Sequence, residues 1–258
     1  MILDDIVRDR KKDYIEIIKN NPLDNLISRI KIEENPKYVF YDLFKSKDFI
    51  FICECKHKSP SKGIIKQDYN YLEIAHEYEN NGADCISVLT EPRYFLGDIN
   101  HLINLKKEIH IPILRKDFIF SEYQIYESKV IGADLILLIC AILDFDTLKS
   151  FITLAHKLGL SCLVETHSEE EIDMAIKAGA KVIGVNNRNL YDFSIDNSLS
   201  KALREKYKDI VLISESGIKD SNDVKEIKKA HLNGVLIGEA LMKSNNIKET
   251  LEEFIHAN

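Results

Sequence analysis

The chain has 258 residues, a hydrophobic fraction of 45%, a charged fraction of 30% and a formal net charge of -7. Its length suits one large domain that buries roughly three quarters of its unfolded surface, and its composition has none of the bias of disordered or collagenous chains. The acidic balance excludes an extended nucleic-acid surface, which needs clustered surplus Lys and Arg, and an anionic small ligand would need local positive charge.

The opening Met1-Ile2-Leu3-Asp4-Asp5 is acidic where a signal peptide is basic, and no apolar run approaches the roughly 20 residues of a membrane span. No membrane association is expected, and the expected location is cytoplasmic. Residues 2–19 place Ile2, Leu3, Ile6, Val7, Tyr14, Ile17 and Ile18 at helical spacing, ended by Asn21-Pro22. A second helix is predicted over Leu23–Ile32, stopping near Asn35-Pro36. Residues 1–47 therefore read as a helical extension ahead of the first strand.

From there one unit recurs: a short run rich in Ile, Val and Leu, a polar loop, then an amphipathic helix. The runs lie near 49–54, 84–89, 111–115, 134–139, 161–164, 181–185, 210–213 and 234–237. Asn81-Gly82-Ala83, Ile131-Gly132-Ala133 and Ala178-Gly179-Ala180 supply glycine stops before the following runs. Eight such units predict an α/β fold, a closed (β/α)₈ TIM barrel rather than an open doubly wound sheet, with 1–258 as one domain. Neither G-x-G-x-x-G nor G-x-x-x-x-G-K-[ST] occurs. Cys53, Cys55, Cys85, Cys140 and Cys162 sit in apolar runs without zinc spacing or a C-x-x-C pair, and read as small buried hydrophobes, with a reactive thiol as the alternative. The eight His are scattered without ligand spacing, so no metal site is expected.

Barrel chemistry sits at the carboxyl ends of the strands. The first run ends in Glu54 and Lys56, the third in Lys116, the fifth in Glu165, the sixth in Asn186-Asn187-Arg188 and the seventh in Ser214-Glu215-Ser216-Gly217. Alternation sends Glu54 and Lys56 to one side of the sheet and Cys53 and Cys55 to the other. Either these ions form a ring of salt bridges closing the barrel, or something is bound and processed there; inward-facing ions are costly enough to favour the second reading. Ser216-Gly217-Ile218 and Ile237-Gly238-Glu239-Ala240 place glycines where backbone N–H groups can approach an anion, with ordinary tight turning as the alternative. Ser59 and Lys56 are candidates to complete a phosphate cradle. The fourth run, Leu137-Leu138-Ile139-Cys140-Ala141, ends without a polar group. That wall, through Leu138 and joined by Phe95 and Phe118, suits an aromatic ring, unless the two phenylalanines are simply core.

These residues resemble the indole-3-glycerol-phosphate synthase family. Its E-x-K-x-x-S-P-S-x-G motif stands here as Glu54-Cys55-Lys56-His57-Lys58-Ser59-Pro60-Ser61-Lys62-Gly63, and P-[IV]-L-x-K-D-F as Pro112-Ile113-Leu114-Arg115-Lys116-Asp117-Phe118. Leu163-Val164-Glu165, Ile183–Leu190, Ser214–Ile218 and Leu236–Met242 match the later strands, and the helical extension is also a family trait. Asn189 stands where many members have Asp, and Cys55 where Val or Ile is usual; neither is a position assigned to chemistry.

The resemblance implies decarboxylating ring closure of 1-(2-carboxyphenylamino)-1-deoxyribulose 5-phosphate to indole-3-glycerol phosphate, CO₂ and water, in tryptophan biosynthesis. It implies Lys116 as the acid at the ribulose carbonyl, Glu165 and Lys56 in the acid role of dehydration and Glu54 as base, with the division of these steps left open. Glu215, Asn186, Arg188 and Ser216 would position the chain and its hydroxyls; Ser59, Gly217, Gly238 and Glu239 would hold phosphate. Phe95, Phe118 and Leu138 would meet the ring. No cofactor is implied, and a monomer acting on a phosphorylated small molecule is expected. Phosphoribosylanthranilate isomerase is the nearest rival, and would show an early-strand Cys base and a late Asp. A barrel that binds phosphate but has lost catalysis is another.

Overall fold

The computed structural model describes residues 2–189 and 193–257. Met1, Asn258 and Leu190, the last residue of the sixth-strand motif, lie outside the described residues. Helix α1 spans Ile2–Asn20, and Ile6, Arg10 and Tyr14, each four residues from the next, form its buried face. Asp4 and Asp5 in its first turn and Lys19 in its last have the signs that the helix dipole favours.

The second helix is shorter than the sequence predicts. Helix α2 covers Leu23–Ile27, and residues 28–38 are irregular. Leu26 packs with Tyr14 and Tyr123, but Ile27 and Ile32 are 43% and 57% exposed, so the apolar residues beyond Leu26 share no single buried face to hold a longer helix. Helix α3, Val39–Leu43, carries no clear sequence signal. Its Phe40 is fully buried among inward-facing residues from the starts of the barrel strands, including Ile50, Cys85, Leu135 and Val182.

The barrel strands are β1 Ile50–Cys55, β2 Cys85–Leu89, β3 Ile113–Lys116, β4 Leu135–Ile139, β5 Ser161–Thr166, β6 Val182–Asn186, β7 Val211–Glu215 and β8 Gly234–Ile237. Each pairs in parallel with its sequence neighbours, and β8 closes onto β1, as the recurring strand and helix pattern predicts. Helices α4 Tyr71–Asn80, α5 Ile99–Glu108, α6 Glu122–Val130, α7 Phe145–Lys157, α8 Glu169–Ala178, α9 Leu199–Lys206 and α10 Ser221–Lys229 alternate with the strands. Helices α11 Glu239–Lys243 and α12 Ile247–Ile255 follow β8. Asn70, Asp98, Ser121, Asp144, Ser168 and Asp220 each accept a first-turn backbone N–H, which fixes where six of these helices begin. Among the described residues no helix is long and apolar enough to cross a membrane.

Strand alternation divides the core in two. Phe51, Cys53 and Cys55 face the helix layer, while Ile50 and Ile52 face the barrel interior. All five cysteines are free and buried; Cys85 lies inside the barrel, and Cys140 sits in a 3₁₀ turn, Cys140–Ile142, rather than in a strand. The same alternation corrects the fourth-strand wall. Strand β4 enters with Leu135 inward, so Leu137 and Ile139 also face inward and Leu138 is fully buried against the helices. Leu138 does not reach the barrel mouth.

Candidate active site

The strand register brings the predicted residues to one level. Glu54 lies opposite Ser87, Leu89 opposite Lys116, Ile139 opposite Glu165 and Asn186 opposite Glu215. Above them opens a cavity of about 670 Å³, a size that suits a small phosphorylated aromatic ligand. Glu54, Lys56, Ser59, Phe95, Lys116, Phe118, Glu165, Asn186, Arg188, Ser216, Gly217, Gly238 and Glu239 all line it. Glu215 lies just beneath and reaches the site through Lys116. Of the residues predicted to act on or bind the ligand, only Leu138 is turned away.

Lys116 is the electrostatic centre. Its Nζ is 3.2 Å from Glu54 Oε2 and 3.3 Å from Glu215 Oε2, while Lys56 Nζ is 2.5 Å from Glu54 Oε1. Burial disfavours the Lys116 ammonium, but Glu54, Glu215 and Glu165 outweigh it and hold the proton well above the usual lysine range. Burial likewise disfavours the Glu54 carboxylate, and Lys116 and Lys56 together outweigh it, bringing the group down to about 2. Glu54 is therefore ionised at neutral pH. For Glu215 burial wins over Lys116, and nearby Glu165 adds repulsion, so its carboxyl is pushed up to about 7. Two carboxylates on one ammonium thus differ widely in proton affinity, the arrangement expected where protons move.

Gly184 makes room for Glu215. A Cβ there would lie 2.0 Å from Glu215 Oε1 and 3.0 Å from its Cδ, so a larger residue in β6 would drive the carboxylate off Lys116. The backbone approach of Gly238 is also close, since a Cβ would stand 2.5 Å from Glu54 Oε1 and 3.1 Å from Lys56 Nζ. Across the mouth, Asn186 donates from Nδ2 to Glu165 Oε1 at 3.1 Å, and its Oδ1 accepts the Arg188 N–H at 3.0 Å. One amide therefore holds both the carboxylate and the loop after β6.

The apolar wall is built by Leu137, Ile139, Leu89, Phe95 and Phe118. The two rings lie 6.0 Å apart between centroids. Buried Glu91 sets the loop that presents Phe95: its carboxylate accepts the N–H groups of Arg93, Tyr94 and Phe95 at 2.8, 2.7 and 3.0 Å. On the opposite side Ser216 and Gly217 turn the chain with φ of 62° and 82°. A Cβ at Gly217 would lie 1.9 Å from Asn197 Oδ1. Lys62, Lys219 and Lys243 also line this end, and Glu239 is paired with Lys243 at 2.6 Å and Arg188 at 3.8 Å. The Glu239 carboxylate is thus already occupied by cations.

Several residues carried no readable signal. Ile2, Leu3 and Ile6 of α1 line the cavity, so the extension forms part of its wall. Arg115, between Leu114 and Lys116 in β3, points outward and is fully buried. Its Nη2 is 2.7 Å from Glu127 Oε2 and 3.2 Å from Asp117 Oδ2, and Arg10 of α1 reaches Asp117 at 2.6 Å. Tyr14 donates to Glu127 at 2.5 Å, accepts from Arg115 at 2.8 Å, and Thr90 donates to Asp117 at 2.7 Å. Two arginines and two carboxylates therefore neutralise one another beneath α1 and clamp it to the strand that carries Lys116. The periodic sequence marks Arg10 and Arg115 only as polar, because an ion pair such as Arg10–Asp117, across 107 positions, is invisible to local pattern.

The sequence matches the indole-3-glycerol phosphate synthase family over residues 3–254. It is 57% identical over 204 residues to the indole-3-glycerol phosphate synthase of Endomicrobium trichonymphae, covering 79% of each chain. It is 43% identical over 257 residues to that of Acetivibrio thermocellus, covering 98% of this chain and 99% of the relative. Among solved structures a 3-hexulose-6-phosphate synthase superposes with a TM-score of 0.65 at 16% identity, over 81% of this chain and 99% of that one. Thiamine phosphate pyrophosphorylase from Pyrococcus furiosus gives 0.60 at 16% identity, over 82% and 96%. Those two likenesses speak to the barrel alone. The sequence match covers both the helical extension and every strand end that lines the cavity, and the chain belongs to the indole-3-glycerol phosphate synthase family.

Proposed function

We propose that the cavity carries out the family's ring closure on 1-(2-carboxyphenylamino)-1-deoxyribulose 5-phosphate, with the residues at the barrel mouth in the following roles. The observation that carries this reading is the placement of Lys116 between Glu54 and Glu215, beside an apolar wall and opposite a loop region rich in glycine and lysine. The phosphate lies against Ser59, Gly217, Gly238 and the backbone at Glu239, with Lys62 at hand. The aromatic ring lies against Phe95, Phe118, Leu137 and Ile139.

The ring carbon that bears the carboxylate attacks the ribulose carbonyl, and negative charge develops on oxygen. The Lys116 ammonium, already charged and fixed by two carboxylates, meets that charge without reorganisation and supplies the proton. Loss of CO₂ returns the electron pair to the ring. Loss of the hydroxyl as water then needs an acid at oxygen and a base at the adjoining carbon. Lys56 and Glu165 fit the acid role, and Glu54, ionised and fixed between two lysines, the base. Glu215, Asn186, Arg188 and Ser216 orient the chain and its hydroxyls. This chemistry asks for no metal or organic cofactor.

The early-strand thiols argue against the isomerase alternative: Cys53 and Cys55 face the helix layer, away from the cavity. The working unit in this reading is a monomer in the cytoplasm, where the other steps on such phosphorylated intermediates would take place. The Arg10–Asp117 pair supports treating residues 1–47 as part of the barrel domain. The test is Lys116→Met. Turnover should fall by at least about 10²-fold, with binding of a product analogue within about tenfold of the parent. Near-normal turnover would remove Lys116 from the acid role.

A further inference from the structure

His167 lies two residues beyond Glu165, where β5 gives way to α8, and none of the roles above uses it. Its Nε2 is 3.4 Å from Glu165 Oε1 and its Nδ1 is 3.4 Å from Glu171 Oε2. Neither nitrogen makes a hydrogen bond, and both are shielded from solvent. The Glu171 carboxylate is itself fixed: it accepts the backbone N–H of His167 at 2.7 Å, while the backbone N–H of Glu171 donates to Ser168 Oγ at 3.3 Å at the start of α8. Exposure rises along the row, with side chains of Glu165, His167 and Glu171 at 5%, 15% and 24%.

The stoichiometry of the reaction proposed above gives such a row a use. A carboxylate leaves as neutral CO₂ and a hydroxyl leaves as water, so one proton must enter the site from solvent in each turnover. Lys116, Lys56 and Glu54 are tied to one another at the cavity floor, and an acid working beside them draws on a path from solvent. Glu165 has one. We propose that His167 is a positioning residue and proton relay for Glu165, passing one proton per turnover from Glu171 at the rim to the carboxylate at the cavity.

In each cycle Nε2–H passes to Glu165, which gives the proton to the departing hydroxyl, while Nδ1 takes a proton from Glu171, itself reprotonated from solvent; a flip of the ring then returns its N–H to the Glu165 side before the next cycle. The groups facing the imidazole are Glu165 on β5, Glu171 on α8 and Glu215 on β7, with Lys116 of β3 behind Glu165 and the Cys140 thiol, donating to the Glu171 carbonyl at 3.7 Å, beside it. Burial disfavours the imidazolium, but Glu171, Glu165 and Glu215 outweigh it and raise the proton affinity above the ordinary histidine value. A ring whose proton affinity is raised between two carboxylates is suited to passing a proton on.

This proposal rests on the ring-closure reading, and the experiment separates the two. Turnover is measured for the parent, His167→Ala, His167→Gln and Glu171→Gln across pH, in weak buffer and with added imidazole. The expected result is a turnover about 10-fold to 100-fold lower in His167→Ala, KM within about twofold, and recovery of much of the loss by imidazole diffusing into the vacated space. His167→Gln, which keeps a donor near Glu165 but cannot carry a proton through, should lose turnover too, with the falling limb of its pH profile displaced from the parent's. An active parent with His167→Gln unchanged, or with a His167→Ala deficit indifferent to imidazole and to pH, overturns the relay and leaves the ring-closure reading standing. An inactive parent overturns the reading itself. Should His167→Ala not fold, His167→Gln and Glu171→Gln decide by the same pH profile.

Discussion

The unequal pair of carboxylates on Lys116 makes a prediction about stability. Glu215 is moved from 4.5 to about 7 by burial, against the pull of Lys116. A carboxyl whose affinity for protons is raised by folding favours the folded state while it is protonated. Its contribution is fully present below pH 4.5 and is lost as pH rises through about 7. With those two values the parent should lose on the order of 2 to 3 kcal/mol from this group between pH 5 and pH 8. Glu215→Gln keeps the shape but cannot ionise, so its stability should not show this loss. Removing one partner of Lys116 shifts the variant's stability by an amount that is nearly constant over the window, which leaves the slope as the informative quantity. The assay is urea unfolding of parent and variant at pH 5, 6, 7 and 8, followed by circular dichroism. The difference between the two curves should change by about 2 to 3 kcal/mol across the series in favour of the variant at high pH. Parallel curves, differing by a constant within about 0.5 kcal/mol, would refute a buried Glu215 that titrates near neutrality.

Side-chain direction in β4 is tested by a pair of truncations. Leu138→Ala should cost about 2 to 5 kcal/mol of stability with KM nearly unchanged, because Leu138 packs against helices, whereas Ile139→Ala should raise KM at a smaller cost in stability. The reverse pattern would place Leu138 at the ring. Arg10→Met should destabilise by about 3 to 5 kcal/mol, since it leaves Asp117 buried without its 2.6 Å partner, and adding Asp117→Asn should restore part of the loss. Urea unfolding reads both, and a loss below about 1 kcal/mol in the single variant would mean that the knot beneath α1 does not hold it.

The barrel was legible because each strand is a short apolar run, and parallel strands buried on both faces leave that signature whatever covers them. Most of the mouth was legible for the same reason: Glu54, Lys116, Glu165, Asn186 and Glu215 are polar groups at the ends of greasy runs. Leu138 was placed on the wrong face because a continuous apolar run has no alternation from which to read direction. Only the register, set by Leu135 entering inward, decides it. Gly184 gave no sign of its purpose, since the atom that it spares belongs to a residue 31 positions later. The α1 clamp was hidden similarly, its four charges lying on α1, on β3 and the loop after it, and on α6. His167 looked like one of eight scattered histidines until folding set a carboxylate at each nitrogen.

The central claim, that this cavity closes an indole ring, is tested most directly by adding synthetic 1-(2-carboxyphenylamino)-1-deoxyribulose 5-phosphate to the purified chain and following indole-3-glycerol phosphate by its fluorescence. The account predicts product in step with CO₂ release, abolished or reduced at least about 10²-fold in Lys116→Met. A folded parent that binds the substrate and releases neither product would contradict it.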